Sequence, residues 1–186
     1  MGRGDYWSQA HATIGCRDIL CSCPTVQADQ QERLTLAVRD NRARVWQDRL
    51  PTLLAREIAP MSFRRSAEVA DVEQLVAERQ RDFRTVSRRR WTTDLKTEAL
   101  TTLRRFSTVD RPVVLLSVEP QEFFAVALPD AAFLQKPDAL VDVVGCFAVV
   151  AEHENSGLLF EWGWTDAREG DWGELATWGD FTRLSL

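Results

Sequence analysis

The chain lacks any uninterrupted apolar run approaching the roughly 18–20 residues that cross a bilayer, so no membrane-spanning helix is expected. Met1 to Cys23 also lacks the basic region followed by an apolar stretch that marks a secretory signal. A cytoplasmic location is the expectation that follows. There are only four cysteines, three of them crowded at Cys16, Cys21 and Cys23. That pattern excludes the spread framework of a disulfide-stapled secreted domain, and we read the cysteines as reduced thiols. Histidine is confined to His11 and His153, so acid–base chemistry at neutral pH has few ordinary agents. No Gly-x-Ser-x-Gly elbow, phosphate-cradling glycine loop or His-Glu-x-x-His segment occurs. Lysine is restricted to Lys96 and Lys136, so nearly all positive charge is arginine, a bias we attribute to nucleotide composition before recognition.

What remains is a sequence 45% hydrophobic and 27% charged, a balance that folds rather than staying disordered. At 186 residues it can bury one good core, and we expect a single domain, 1–186. Its net charge of −5 is unevenly spread. Residues 1–112 carry 20 Lys and Arg against 15 Asp and Glu, and residues 113–186 carry 3 against 13. Such asymmetry implies either a charged partner or contact between an arginine-rich part and an acidic, tryptophan-rich part.

Apolar spacing predicts helices in the first part. Asp29 with Glu32 resembles a capping box, after which Leu34, Val38, Val45 and Trp46 can share one face up to Pro51. A short continuation carries Leu53, Leu54 and Ile58 to Pro60. A second helix is predicted over Ser66 to Ser87, and a third from Thr92 or Thr93 to Phe106. Beyond Pro112 the period becomes extended, predicting strands over Val113–Val118, Phe123–Leu128, Val141–Glu152 and Leu158–Trp164, the last two forming a hairpin. Asp130–Ala139 reads as a loop or short helix. Helices before strands predict an α+β fold, with the N-terminal helices packed on one face of a mostly antiparallel sheet formed by the C-terminal half.

Three groups of residues could carry function. His11, Cys16, Cys21 and Cys23 are soft ligands within one segment, but Cys21-Ser22-Cys23 is too short for a zinc knuckle. Small buried residues of two short strands are the plainer reading, and no metal or cofactor is expected. Arg81, Arg84, Arg88, Arg89 and Arg90 with Trp91 form a candidate phosphate-binding stripe ending in an aromatic, although cations at a helix C-terminus also answer its dipole. The acidic tail carries the leading expectation. Glu161, Trp164, Asp166, Glu169, Asp171, Trp172, Glu174, Trp178 and Asp180 would form an aromatic patch rimmed by carboxylates, with half the tryptophans serving as core. Such a patch suits a basic protein partner, masked as an immunity protein or antitoxin masks a toxin. Nucleic-acid binding through the arginine stripe is the second reading, and an enzyme with a cleft between helices and sheet the third. No catalytic residue is assigned.

Overall fold

The computed structural model describes residues 24–82, 84–119, 123–152, 155–166 and 170–185, with backbone alone at 24–28, 93, 164–166 and 170–172. The first element is helix α1, Pro24–Leu53. It starts ahead of Asp29, on a proline whose fixed φ suits a first helical residue, and Pro51 is absorbed in its last turn. Leu54 N–H still donates to Leu50 O at 2.8 Å, and Ala55, at φ 49, ends the helix in the left-handed conformation more often held by glycine.

A step of 100° per residue separates two faces of α1. Ala43, Trp46, Leu50 and, just past the helix, Leu54 are buried, whereas Leu34, Val38 and Val45 are exposed. The expected common face of Leu34, Val38, Val45 and Trp46 is therefore not formed. Trp46 packs against Phe124 with ring centroids 5.0 Å apart, and burying a side chain of this kind stabilises by roughly 2–3 kcal/mol.

The predicted second helix is shorter than expected. A 3-10 turn, Ser66–Glu68, leads into α2, Ala70–Arg81, which stops at Asp82. Asp82 accepts hydrogen bonds from the Arg84 and Thr85 backbone N–H groups, an arrangement that competes with helix continuation. Chain that was expected to be helical then turns extended as strand β1, Ser87–Thr92. A 3-10 turn, Thr93–Leu95, and α3, Lys96–Arg105, follow close to the expected place. Strands β2, Val113–Ser117, and β3, Ala125–Leu128, match the extended runs read from sequence. Val141 to Val144, expected in a strand, instead belong to helix α4, Asp138–Val144. Gly145, at φ 71, ends that helix, and β4 is Cys146–Ala151. Strand β5, Gly157–Asp166, and strand β6, Gly170–Trp178, form a long hairpin, and α5, Thr182–Ser185, closes the described chain.

The fold is α+β, and its six-stranded sheet is antiparallel throughout, in the order β1-β6-β5-β4-β2-β3. Strands β2 to β6 come from the acidic part, and β1 is supplied by the arginine-rich part. β2 and β4 are buried along their whole length because helices cover both faces. On one face Val113, Leu115, Phe147, Val149, Leu158 and Phe160 share a core with Leu100 and Leu103 of α3, Leu140 and Val144 of α4, and Leu50 of α1. On the other, Val114, Leu116, Ala148, Val150 and Leu159 pack with Val69 and with Val76 of α2. The β3 edge is capped by Arg64, whose N–H donates to Ala125 O at 2.8 Å, leaving β1 at the far margin. No described helix is long and apolar enough to cross a membrane.

Candidate functional site

Antiparallel register fixes which side chains meet across the sheet. Cys146 on β4 pairs with Glu161 on β5, Glu161 with Glu174 on β6, and Glu174 with Arg90 on β1. One row thus carries a thiol, two carboxylates and a guanidinium, near the C-terminal end of α2.

Glu174 is the anchor of this row. Its side chain is only 6% exposed, it accepts from Arg90 Nε at 2.5 Å, and Arg88 Nη1 donates to its other oxygen. Arg88 also donates to the Gln80 carbonyl and, at 3.4 Å, to the Arg79 carbonyl, so the guanidinium ties the last turn of α2 to the sheet. Gln80 Nε2 donates to Glu161 Oε1 at 3.0 Å. Burial pushes the Glu161 carboxyl above its ordinary range, and the neighbouring charge of Glu174 adds to that, with Arg88 opposing. Burial likewise pushes the Cys146 thiol far up, assisted by the charges of Glu161 and Glu119. A thiol held in that state is not a nucleophile.

This geometry redistributes the residues singled out in the sequence. Trp178 is 2% exposed and belongs to the core beneath α2, and Glu174 is consumed by Arg88 and Arg90; neither offers a surface. Asp180 is exposed and lies 3.8 Å from Arg111, at the opposite end of β6 from the hairpin tip. At about 3.3 Å per strand residue, Asp171 is roughly 23 Å from Trp178 at the far end of β6, and Asp180 follows that end in a 3-10 turn. The nine residues therefore do not form one patch.

The arginine stripe is also divided. Arg81 ends α2 and Arg84 lies in the turn, while Arg88, Arg89 and Arg90 occupy β1, where alternation puts Arg89 on the opposite face. Arg89 pairs with Glu98, and Trp91 is buried in the core with α3. Basic side chains of the first part and acids of the second meet directly in Arg56–Asp130, Arg64–Glu152, Arg104–Asp138 and Lys96–Asp142 as well. The contact between halves that charge asymmetry left open is thus observed.

One stretch of the acidic tail leaves the body of the sheet. Pairing of β4 with β5 stops at Cys146–Glu161, followed by the Trp162 N–H bond to Gly145 O at 2.9 Å, and pairing of β1 with β6 stops at Thr92–Trp172. β5 and β6 continue together through Trp164–Trp172, Thr165–Asp171 and Asp166–Gly170. Beyond Gly163 and Trp172 the hairpin is therefore a two-stranded ribbon with no further strand on either side among the described residues. Gly163, at φ 87, is the extra residue of a bulge between Trp162 and Trp164, a conformation strained for any other residue. Ahead of the bulge, Phe160 and Trp162 stack with centroids 6.3 Å apart. Trp162 lies over Gly173, where a Cβ would come within 2.0 Å of the indole, and this contact ties the ribbon to the core. Asp166 and Asp171 are on the ribbon, and Glu169 lies in its connection, outside the described residues along with His11, Cys16, Cys21, Cys23 and His153.

The described surface also has a cavity of about 370 Å³ between α1, α2 and the end of β2, lined by Arg39, Glu73, Gln80 and Glu119 among others. Arg39 within it is paired with Glu73. Among the described residues no three His, Cys, Asp or Glu side chains converge as metal ligands. The sequence reading does not find β1, β6 or the bulge at Gly163; the alternation of Val86, Arg88 and Arg90 and the glycine inside a strand were signals for the first and last. No family model matches the chain, and no curated protein or solved structure matches it either.

Proposed function

We propose that the chain is a non-catalytic protein-binding module that engages a basic partner through the β5–β6 ribbon, masking it in the way an immunity protein or antitoxin does. The observation that carries this reading is that β5 runs on past the β4 ladder to Asp166, and β6 begins at Gly170, ahead of the β1 ladder. Over residues 163–172 the chain holds Asp166, Glu169 and Asp171 against Arg168, with Trp164 registered opposite Trp172. Tryptophans give hot-spot area, carboxylates steer a basic surface into contact, and unpaired outer edges add backbone hydrogen-bonding groups. Glu174, by contrast, is spent on holding β1 and α2 through Arg88 and Arg90.

The test is capture from the source host at low and moderate salt, comparing the full chain with a variant carrying Asp166→Lys, Glu169→Lys and Asp171→Lys. A stoichiometric basic protein, released as salt rises and lost in the variant while the melting temperature stays put, is the expected result. Retention of the same protein by the variant would overturn the assignment. Nucleic acid in place of a protein, sensitive to Arg81→Glu and Arg84→Glu, would move function to the arginines.

A further inference from the structure

Two buried donors near the C-terminal end of α2, Nε of Arg79 and Nε1 of Trp178, have no acceptor among the described residues. A buried N–H without an acceptor is costly and rare in folded proteins, so two at one place call for a partner from outside. Both residues line a small cavity of about 280 Å³, with Thr85, Asn155 and Gly179 as the rest of its described lining. No carboxylate stands among those five residues. A Cβ at Gly157 would come within 2.7 Å of the Trp178 ring, and one at Gly179 within 2.6 Å of the Asn155 carbonyl. The two glycines thus let the indole, the β4–β5 connection and the end of β6 close in on one another. Arg79 is loosely held there. Its Nη1 donates to Asp82 and Thr85 only at 3.4 Å, and Asp82 already accepts from the Arg84 and Thr85 amides. The Arg79 side chain is 22% exposed and can turn from Asp82 onto an entering anion.

A second cavity, of about 840 Å³, shares Asn155 with the first and runs beside α2 toward its N-terminal end. Val114 and Val150 of the sheet give it an apolar floor, and Val72 and Leu75 of α2 an apolar wall. Val72, Leu75 and Arg79 follow at steps of three and four, hence along one side of the helix, so the slot leads to the guanidinium. Glu68, Asp71 and Glu152 line the slot with only Arg64 against them, so a negative group is repelled along the slot and drawn to the Arg79 end. We propose that the two cavities form one site for a small carboxylic acid with an aliphatic body. Arg79, Trp178 and Asn155 take the carboxylate, and the chain lies along the slot. Apolar walls with a few convergent donors are the makeup of small-molecule sites, and a carboxylate accepts several N–H bonds at once. Both orphaned donors are closed to water, so binding includes a turn of Arg79 that admits the carboxylate to them. Trp178 pairs with Gly157 at the end of the sheet opposite the ribbon, so this site stands independently of the protein-partner reading.

Titration calorimetry of the full chain with decanoate, below its micelle-forming concentration, is expected to show a single site. Decanol, the same chain without the charge, should bind at least about tenfold more weakly, and acetate, the head group alone, not measurably. Arg79→Gln and Asn155→Asp should each weaken decanoate about tenfold and leave decanol unchanged. Asn155 is exposed, so its variant keeps the fold, checked by circular dichroism, and carries the test even where Arg79→Gln unfolds. In proton–nitrogen spectra the Trp178 indole resonance, assigned by its loss in Trp178→Phe, should shift when decanoate binds. Decanoate affinity equal to that of decanol, or equal in wild type and Asn155→Asp, would overturn the proposal. An indole resonance that stays in place, or no decanoate binding at millimolar concentration, would overturn it too.

Discussion

The two ends of the β5–β6 hairpin have the same composition and opposite fates. Near the β4 and β1 ladders, glutamate and tryptophan at positions 174 and 178 are enclosed, one by Arg88 and Arg90 and the other by the core under α2. Past Gly163, Trp164, Asp166, Asp171 and Trp172 belong to a ribbon with no further strand beside it among the described residues. A carboxylate on a strand is thus structural when a guanidinium from another strand reaches it. At Glu174 two do.

That contrast can be broken most forcefully at Trp178. Trp178→Ala should cost about 3–5 kcal/mol, the loss expected for a large core aromatic, read as a fall in denaturation midpoint. Next comes Glu174→Gln, which takes the carboxylate charge away from Arg88 beneath α2. We expect about 3 kcal/mol, at the low end for a broken buried pair because Arg90 is largely exposed and rehydrates. A denaturation midpoint equal to wild type would show that the row is not structural.

A smaller effect, of opposite sign, is expected at Glu161. Its folded carboxyl holds its proton to higher pH than the unfolded one, so folding is favoured below the ordinary glutamate range and loses part of that stability as pH rises through the folded value. Glu161→Gln should therefore raise stability at neutral pH and flatten the dependence above pH 4.5. An unchanged slope in urea melts across that range would remove Glu161 as its source. Asp82 works the other way. Hydrogen bonds from the Thr85 side chain and from the Arg84 and Thr85 amides hold it down at about 2, so its contribution is present above 3.8 and is lost as pH falls from 3.8 toward 2. Asp82→Asn should lower stability at neutral pH and remove that acid step, measured by acid titration of the fluorescence. The least effect on stability is expected on the ribbon, where charge reversal at Asp166 and Asp171 should remove partner binding and leave the denaturation midpoint where it is, measured by binding assays beside urea melts.

Much of the architecture was legible locally. The apolar β-branched runs of β2 and β4 and the prolines and glycines bounding them announce strands, and the spacing of Ala99, Leu100 and Leu103 announces α3, although its N-cap is Leu95 instead of Thr92 or Thr93. The failures share a cause. Arg88 to Arg90 look like a solvated helix end because nothing nearby in sequence reveals that β6, more than eighty residues on, supplies a partner strand and a buried carboxylate. Trp46 was placed with Val45 because periodicity locates residues around a helix without saying which side the body will occupy. Val141 and Val144 carry strand-type side chains, yet pack as a helix against the core shared with Phe147.

The sequence by itself determined the class of fold, since patterns of period 3.6 followed by period 2 leave few alternatives, and it determined that two oppositely charged parts share one chain. Tertiary structure alone decided how that charge is used. Pairing β1 with β6 brought Arg88 and Arg90 onto Glu174, and the ends of the β4 and β1 ladders set where the ribbon begins, because ion pairing depends on distances of a few ångströms that only long-range register can set.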